Sequence, residues 1–321
     1  MTLSGRARLL GVAALCGAVA LGLMWMREQR KRASREASRS QWSIGIWEGP
    51  SPLRLQPPPG LSNPVLAARD VTDVDAEFVA DPFMVQRDST WYLFFEVLEN
   101  GTGRGSIGVA TSADGRAWRY DRIVLREPFH LSYPFVFREG SDFYMVPESY
   151  QAGAVRLYRA VRFPYEWKFE TTLLSGLPYV DSSLVKFQDR WFLFTATPEN
   201  NQLLLYDAGA LTGPWTPHPA SPIVKRDPHI ARPGGRVLVM GDHLLRFAQD
   251  DQPSYGHQVI AFEITELDQA RYQETRAGEG PVVAASGSGW NRDRMHTVDA
   301  HQVAADRWIA CVDGKGVLPP K

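Results

Sequence analysis

Short apolar runs alternate with polar turns along most of the chain, and one arrangement of them occurs three times. In each copy, an apolar run of strand length, a polar turn and a second apolar run follow one another. The second runs are residues 91–96, 143–148 and 191–195. Two such runs across a polar turn predict consecutive antiparallel strands of one sheet. The copies are about 50 residues apart, a period typical of β-propellers.

A tryptophan marks the outer part of each copy and sets the alignment between copies. Trp118, Trp167 and Trp215 each follow a turn that contains Gly or Pro. Because Gly permits positive φ and Pro holds its own φ fixed, each turn predicts a second hairpin. Each copy therefore predicts about four strands, which make one propeller blade.

Two weaker copies extend the repeat to five. They begin at residues 229 and 296, and the last has room for only two strands. We expect residues 42–47, with a neighbouring segment, to complete this fifth blade, because closing the circle removes an open sheet edge. The sequence thus predicts an all-β, five-bladed β-propeller over residues 42–321. A β-sandwich with coincidental likeness among the copies is the alternative.

The beginning of the chain has a different pattern. Residues 9–26 form an apolar run long enough to cross a bilayer as a helix. We expect a tail (1–8), a single-pass transmembrane anchor (9–26) and a basic linker (27–41), with a cleavable signal peptide as the alternative. More basic residues follow the run than precede it, which favours a cytoplasmic propeller. A protein that faces outward would carry the opposite charge bias.

Composition narrows the functional classes. A hydrophobic content of 44% supports a large core, and a formal net charge of −1 provides no field that would attract nucleic acid. We therefore expect no nucleic-acid partner. The two cysteines, Cys16 and Cys311, do not predict a disulfide framework.

Candidate catalytic groups follow from propeller geometry, because inner strands begin and second strands end at the same rim of the central channel. Asp81, in an apolar setting, is the expected general base, with backbone hydrogen bonding as its structural alternative. Glu148 is the expected general acid, whose pKa burial would raise; its structural alternative is bonding to neighbouring loop amides or to an arginine such as Arg156. Asp181 is expected to tune the acid, to orient a sugar hydroxyl or to cap its own turn. Glu96 is a weaker candidate because a glycine-rich loop follows it.

Polar and aromatic residues at the predicted blade entrances are expected to bind the substrate. They are His130, Tyr133, His229, Arg232, Gln249, Asp250, Tyr255, Trp290, His296, Asp299 and His301. Trp290 would supply a face for sugar stacking, or would pack in the core. The histidines lack a tight zinc spacing such as His-x-x-x-His, so we expect hydrogen bonding rather than metal ligation, and no cofactor.

Several motifs resemble known families. The Asp81-Pro82 start, the Ser112-Ala-Asp-Gly turn before Trp118 and the five-fold repeat resemble the propeller glycoside hydrolases of the arabinanase, xylosidase and invertase-like group. A longer resemblance, over residues 42–314, is to the N-terminal domain of plant glucosamine inositolphosphorylceramide transferase. It is carried by Trp-Ser-Ile-Gly-Ile-Trp at 42–47, Pro-Glu-Ser-Tyr at 147–150 and Pro-His-Ile-Ala-Arg-Pro-Gly-Gly at 228–235.

These resemblances imply a carbohydrate or glycolipid-headgroup ligand. The glycosidase pattern implies Asp81 as base and Asp181 as the residue that adjusts the acid, but residues 227–229 lack the later Glu of that pattern. The plant domain precedes a glycosyltransferase domain, which implies a possible glycosyltransferase partner. Two functions follow: hydrolysis of a glycosidic bond by Asp81 and Glu148, or non-catalytic binding of a sugar headgroup.

Overall fold

The computed structural model describes residues 40–319. Over this range the chain forms 23 β-strands in five antiparallel sheets, with three single-turn 3₁₀ segments and no α-helix. The 3₁₀ segments are Ala68–Asp70, Tyr150–Ala152 and Gly289–Asn291. The sheets follow one another as blades, so the prediction of an all-β, five-bladed propeller is confirmed.

The first three blades are built from consecutive strands. Blade one contains β3 (Ala76–Arg87), β4 (Thr90–Glu99), β5 (Arg104–Ser112) and β6 (Arg119–Leu125). Blade two contains β7 (Ser132–Glu139), β8 (Asp142–Glu148), β9 (Ala154–Arg162) and β10 (Glu166–Ser175). Blade three contains β11 (Val180–Phe187), β12 (Arg190–Ala196), β13 (Gln202–Ala208), β14 (Thr216–Pro217) and β15 (Val224–Lys225).

Blade four has an interrupted inner strand. Its strands are β16 (Arg232–Pro233), β17 (Leu238–Met240), β18 (His243–Asp250), β19 (Gln258–Leu267), β20 (Tyr272–Ala277) and β21 (Val283–Ala284). Gly235 lies in the gap between β16 and β17, where a Cβ atom would lie 1.9 Å from the carbonyl oxygen of Val298. Only glycine allows blade four to approach blade five this closely.

Blade five joins the two ends of the propeller. It combines β22 (Val298–Ala304) and β23 (Arg307–Val317) with β1 (Ser40–Ser51) and β2 (Arg54–Gln56), in the order β2-β1-β23-β22. The expected closure by residues 42–47 and a neighbouring segment is therefore observed. It pairs the edge that the last hairpin would otherwise leave open.

The three marker tryptophans play one repeated structural role. Trp118, Trp167 and Trp215 each donate the indole N–H to a carbonyl of the preceding turn. The acceptors are Gly115, Pro164 and Leu211, at 2.9, 2.8 and 3.0 Å. The repeat that is visible in the sequence therefore reflects a turn that each indole closes.

The expected membrane segment is not part of this range. Among residues 40–319, no helix has the length and apolarity required to span a membrane. The run at 9–26 and nearly all of the basic linker lie outside the described residues. The transmembrane anchor stays a prediction.

Inner strands of three blades share an unusual backbone feature at the rim. Asp81, Tyr133 and Asp181 have φ values of 53°, 43° and 47°. Each lies at a β-bulge, where the pairing with the second strand shifts register. Positive φ is unfavourable for residues with a side chain and concentrates at functional sites, where bulges redirect side chains. The positive φ values at these bulges therefore indicate a candidate site at the rim.

Candidate functional site

Two sets of residues occupy equivalent positions at one face of the propeller. The inner-rim residues, which lie on the inner strands or directly before them where these strands meet the rim, are Asp81, Tyr133, Asp181, Arg232 and Thr297. The return residues, at the rim end of the second strands, are Glu96, Glu148, Ala196, Asp250 and Asp313. Their carboxyl groups are buried, with exposures between 0% for Asp313 and 7% for Asp250.

Carboxylates link one blade to the next through the backbone of the inner-rim residues. Asp313 Oδ2 accepts the N–H of Asp81 at 3.0 Å, and Glu148 Oε2 accepts that of Asp181 at 3.2 Å. Between them, Asp81 Oδ2 accepts the N–H of Tyr133 at 3.3 Å. These bonds hold the three positive-φ residues in place.

His296 supplies a positive charge beside Asp81. Its Nδ1 lies 2.7 Å from Asp313 Oδ2 and 3.8 Å from Asp81 Oδ1, and its ring stacks on Trp42 at 4.0 Å. Burial acts to lower the pKa of His296, but the carboxylates of Asp313 and Asp81 raise it to about 9. The ring is therefore an imidazolium at neutral pH, and Thr297 Oγ1 donates to Asp81 Oδ1 at 3.0 Å.

The same cluster has the composition of a metal site. Asp81, His296 and Asp313 each bring a potential ligand atom within 4.8 Å of the others. A metal requires neutral imidazole, whereas Nδ1 of His296 holds a proton against Asp313. We interpret the cluster as an ion-pair network in which the imidazolium takes the position of a cation.

Arg232 organises the other side of the site. Its Nε donates to Asp181 Oδ2 at 2.6 Å, its Nη2 to Glu148 Oε2 at 3.3 Å and its Nη1 to Asn200 Oδ1 at 2.9 Å. The guanidinium also lies over the ring of Tyr255, 5.2 Å from its centroid. All three nitrogens of the fork are used, so Arg232 holds its carboxylate partners in one geometry.

Two buried acceptor atoms next to Arg232 lack partners. Gln249 donates from Nε2 to Asp181 Oδ2 at 2.7 Å and to the carbonyl of Pro233 at 2.8 Å. Gln249 Oε1 and Asp181 Oδ1 have no hydrogen-bond partner within residues 40–319. Buried polar atoms are usually satisfied, so these two acceptors suit hydroxyl donors from a ligand or a water.

The carboxyl groups of the rim outnumber the cations. Burial raises the pKa of Asp81 to about 6, although His296 opposes the shift. Burial and the neighbouring Asp181 raise the pKa of Glu148 well above its usual range, with Arg232 acting against them. Burial also raises the pKa of Glu96, and nearby carboxylates add to the shift. Burial therefore favours the protonated forms of Glu96 and Glu148, whereas Asp81 is mostly ionised at neutral pH.

Glu96 pairs with a neutral histidine. Nε2 of His130 lies 3.3 Å from Glu96 Oε1, while Nδ1 of His130 accepts the N–H of Gly105 at 2.9 Å. The accepted bond places the ring proton on Nε2, and burial lowers the pKa of His130. At Gly105 a Cβ atom would lie 2.2 Å from the carbonyl of Leu131 and 2.9 Å from Glu96 Oε1. Glycine is required there to let Glu96 and His130 meet.

A second ionic cluster lies deeper in the channel. Arg236 donates from Nε to Asp299 Oδ1 at 2.7 Å and from Nη2 to the carbonyl of Val136 at 2.9 Å. Asp299 Oδ2 accepts the N–H of Met84 at 2.7 Å and contacts His301 Nε2 at 2.9 Å. Burial would raise the pKa of Asp299, but Arg236 and His301 lower it to about 2. Asp299 and His301 thus crosslink blades below the rim.

Tyr133 and Trp290 are also used internally. The Tyr133 hydroxyl lies 3.0 Å from Ser183 Oγ and donates to the carbonyl of Gly235 at 3.1 Å. Trp290 is 9% exposed and packs against Gly45 and Gly314, where a Cβ atom would lie 2.6 Å from its ring. Trp290 therefore has no open face for a sugar, because blade five encloses it.

Two other expected ligands are accessible at the rim. His229 is 56% exposed, and its Nδ1 lies 2.8 Å from the buried Asp250 Oδ1. Tyr255 is 39% exposed and contacts His296 edge-on at 5.3 Å, in addition to Arg232. Tyr255 rather than Trp290 is thus the aromatic residue that the structure offers to a ligand.

The fold brings most of the predicted residues together and adds several that the sequence analysis missed. Those brought together are Asp81, Glu148, Asp181, Arg232, Gln249, Tyr255 and His296. Those missed are Trp42, Asn200, Arg236, Thr297 and Asp313. Asp313 could have been predicted from the sequence, because it ends an apolar run at the same position of the repeat as Glu148. Thr297 also lies at the inner-rim position of its copy, whereas Trp42, Asn200 and Arg236 have no such signature.

Solved structures with a similar fold are carbohydrate-active propellers at low sequence identity. The crystal structure of a putative glycoside hydrolase from Bacteroides ovatus aligns with a TM-score of 0.60 at 14% identity. The alignment covers 82% of this chain and 98% of that one. An exo-1,5-α-L-arabinanase from a bovine ruminal metagenomic library aligns with a TM-score of 0.53 at 14% identity, over 76% and 95%. At such identity the likeness shows the fold alone.

Sequence comparison is more specific. The rice (Oryza sativa subsp. japonica) glucosamine inositolphosphorylceramide transferase 1 is 37% identical over 299 residues, which are 86% of this chain and 40% of the rice protein. This chain therefore spans less than half of that relative. The family model for glucosamine inositolphosphorylceramide transferase 1, N-terminal, matches residues 34–315. The chain belongs to the family of this N-terminal domain.

Proposed function

We propose that the chain binds a carbohydrate or glycolipid headgroup at the rim and hydrolyses a glycosidic bond there. One observation carries this proposal: within residues 40–319, several buried carboxyl groups of the rim face two cations, Arg232 and His296. Such a site holds an ionised carboxylate and a protonated carboxyl group together. Inverting glycosidases require this combination.

Asp81 has the properties of the base. With its pKa near 6, it is mostly ionised at neutral pH and still basic enough to accept a proton from water. Thr297 Oγ1 and the N–H of Tyr133 orient its two oxygens. In the proposed step, a water oxygen bonds to the anomeric carbon as the glycosidic C–O bond breaks. Asp81 takes the water proton, and a protonated glutamate gives its proton to the leaving oxygen.

The sequence predicts Glu148 as that acid, and Glu96 is a second candidate. Both are 6% exposed return residues whose pKa burial raises. Sugar hydroxyls would donate to the unpartnered Asp181 Oδ1 and Gln249 Oε1, and the ring of Tyr255 offers a stacking face. Together these groups suit a polyhydroxylated ligand.

The direct test uses the full chain and a panel of aryl glycosides together with glucosaminyl-inositol phosphate as substrates. We expect Asp81→Asn to lower kcat/KM by about 10²–10⁴-fold, the usual contribution of a general base. Asp88→Asn, at a hairpin turn where the Asp88 side chain is 88% exposed, is the matched control and should change little. Wild-type activity should rise with pH through about 6, as Asp81 ionises. Failure of the wild type to cleave any substrate of the panel would refute hydrolysis.

A second candidate function is favoured by the unpartnered acceptors, which bind hydroxyl groups without any acid. In this case the chain is a headgroup-binding module that assists a glycosyltransferase, as the shared 40% of the rice transferase suggests. Calorimetric titration with glucosaminyl-inositol phosphate separates the two functions. Binding without turnover, unchanged in Asp81→Asn and lost in Gln249→Leu, would support the module.

A further inference from the structure

We propose that Glu96, rather than Glu148, is the general acid of the rim site, an inference that rests on the proposed hydrolysis. The two glutamates occupy equivalent positions of the repeat, Glu96 within β4 and Glu148 at the end of β8, and both are buried. They differ in the hydrogen-bond partners and charged groups that surround their carboxyl groups.

The return carboxylates of blades five and two each accept a backbone hydrogen bond from the next blade. Asp313 accepts the N–H of Asp81 at the next inner strand, and Glu148 accepts that of Asp181. By repeat symmetry, Glu96 should accept the N–H of Tyr133. That N–H instead donates to Asp81 Oδ2 at 3.3 Å, so Glu96 is not needed as its acceptor.

Burial raises the pKa of Glu148 as well, but the hydrogen-bond partners of its side chain oppose that shift and suit a carboxylate. One oxygen, Oε2, accepts both the N–H of Asp181 at 3.2 Å and Nη2 of Arg232 at 3.3 Å. Hydrogen bonds and a cation directed at the charged form stabilise that form. A neutral Glu148 would weaken the fork that Arg232 makes with Glu148 and Asp181. Glu148 is therefore better suited to anchor Arg232 than to release a proton in each turnover.

The environment of Glu96 favours a neutral acid. Among the described residues, the polar contact of its side chain is with His130 Nε2 at 3.3 Å. His130 is neutral because its Nδ1 accepts the N–H of Gly105, so no cation faces Glu96. The charged groups that act on Glu96 are carboxylates, namely Asp81, Glu148, Asp181 and Asp313. They disfavour ionisation of Glu96 and add to the effect of its burial.

The chemical step balances with these two residues. The proton of Glu96 passes to the glycosidic oxygen, and the bond from that oxygen to the anomeric carbon breaks. A water oxygen bonds to the same carbon, and the water proton passes to Asp81. His130 can then donate its Nε2–H to the carboxylate formed on Glu96. Asp81 returns its proton to solvent, and Glu96 regains one from solvent before the next turnover.

The test compares Glu96→Gln with Glu148→Gln in the full chain, using 4-nitrophenyl and phenyl glycosides of a sugar that the wild type cleaves. A general acid matters most when the leaving group is poor. We expect Glu96→Gln to lower kcat/KM by about 10²–10⁴-fold for the phenyl glycoside and by less than about tenfold for the nitrophenyl one. Wild-type activity should also decline at high pH as Glu96 ionises, and Glu96→Gln should remove that decline. Glu148→Gln should lower kcat/KM by the same factor for both substrates.

The outcomes separate this inference from the proposed function. A loss that depends on the leaving group in Glu148→Gln, but not in Glu96→Gln, would overturn the assignment of the acid and leave hydrolysis intact. An inactive wild type would refute hydrolysis itself. Circular dichroism and thermal unfolding establish that each variant is folded. If Glu96→Gln does not fold, Glu96→Asp replaces it and should show the same dependence on the leaving group.

Discussion

The propeller contains two buried ionic clusters along one channel, and they differ in how their charges balance. The rim layer, which consists of Asp81, Glu96, Glu148, Asp181, Arg232, His296 and Asp313, has more carboxyl groups than cations. The channel layer, which consists of Arg236, Asp299 and His301, pairs one carboxylate with a guanidinium and an imidazole. Burial alone therefore does not distinguish one cluster from the other.

Charge balance makes the distinction, because it determines which protonation state is stable. In the channel layer, Arg236 and His301 hold the pKa of Asp299 at about 2 against the effect of burial. In the rim layer, burial dominates and raises the pKa of Asp81 to about 6. A group that titrates near neutral pH can exchange protons during a reaction, whereas one that stays ionised can only crosslink.

Arg236→Met should produce the largest loss of stability. It leaves Asp299 buried without its guanidinium partner, which costs about 3–5 kcal/mol of unfolding free energy. Arg232→Met in the rim layer should lose less, about 1–3 kcal/mol, because Gln249 still donates to Asp181 and burial already raises the pKa of Glu148. Urea unfolding followed by tryptophan fluorescence at pH 7 measures both variants. Equal losses would contradict the distinction between the layers.

His296→Gln should lose stability in a pH-dependent way. The folded protein holds the proton of His296 up to a pKa of about 9, against 6.5 for an ordinary histidine. Its contribution is therefore complete below pH 6.5 and disappears as pH rises through about 9. The difference from wild type should be about 3 kcal/mol at pH 6 and small at pH 9.5. His243→Gln, whose parent side chain is 41% exposed, should show no such trend in urea unfolding.

Neutralising one carboxyl group in each layer should have opposite effects. Asp299→Asn should lose about 2 kcal/mol at pH 7, because the folded state favours ionised Asp299. That difference should vanish as pH falls through about 2. Glu96→Gln should be neutral or stabilising at pH 7, because burial raises the pKa of Glu96. Thermal unfolding midpoints at several pH values show whether each substitution stabilises or destabilises the protein. Destabilisation by both substitutions would contradict the prediction.

Tyr133→Phe should have the smallest effect. Its hydroxyl bonds to Ser183 and Gly235 inside the channel, but Ser183 also donates to the Gly235 carbonyl at 2.9 Å. Removing the hydroxyl therefore leaves the carbonyl satisfied and costs about 1 kcal/mol. Calorimetric affinity for glucosaminyl-inositol phosphate should not change. A large loss of affinity would show that Tyr133 reaches the ligand from the inner rim.

Much of the fold follows from local patterns, because a blade is a local structure. Paired apolar runs, turn residues and a repeated tryptophan are enough to predict the hairpins, and even closure by residues 42–47 follows from the open edge. The site was predictable only where it shares the repeat, as at Asp81, Glu148 and Asp181. Trp290 shows the limit: its position at a blade entrance suggested a ligand, but the glycines that enclose it come from distant segments.

The order of strands and the convergence of acidic residues at one rim are encoded in the repeat itself, since equivalent positions in a propeller face the same channel. The roles of those acids depend on contacts between blades. Arg232 and Arg236 are close in sequence, yet one joins the rim carboxylates and the other crosslinks the channel. Likewise, Glu96 and Glu148 are equivalent in sequence and differ only in their neighbours. Protonation is set by burial and charge balance, which arise only when the blades close into a circle.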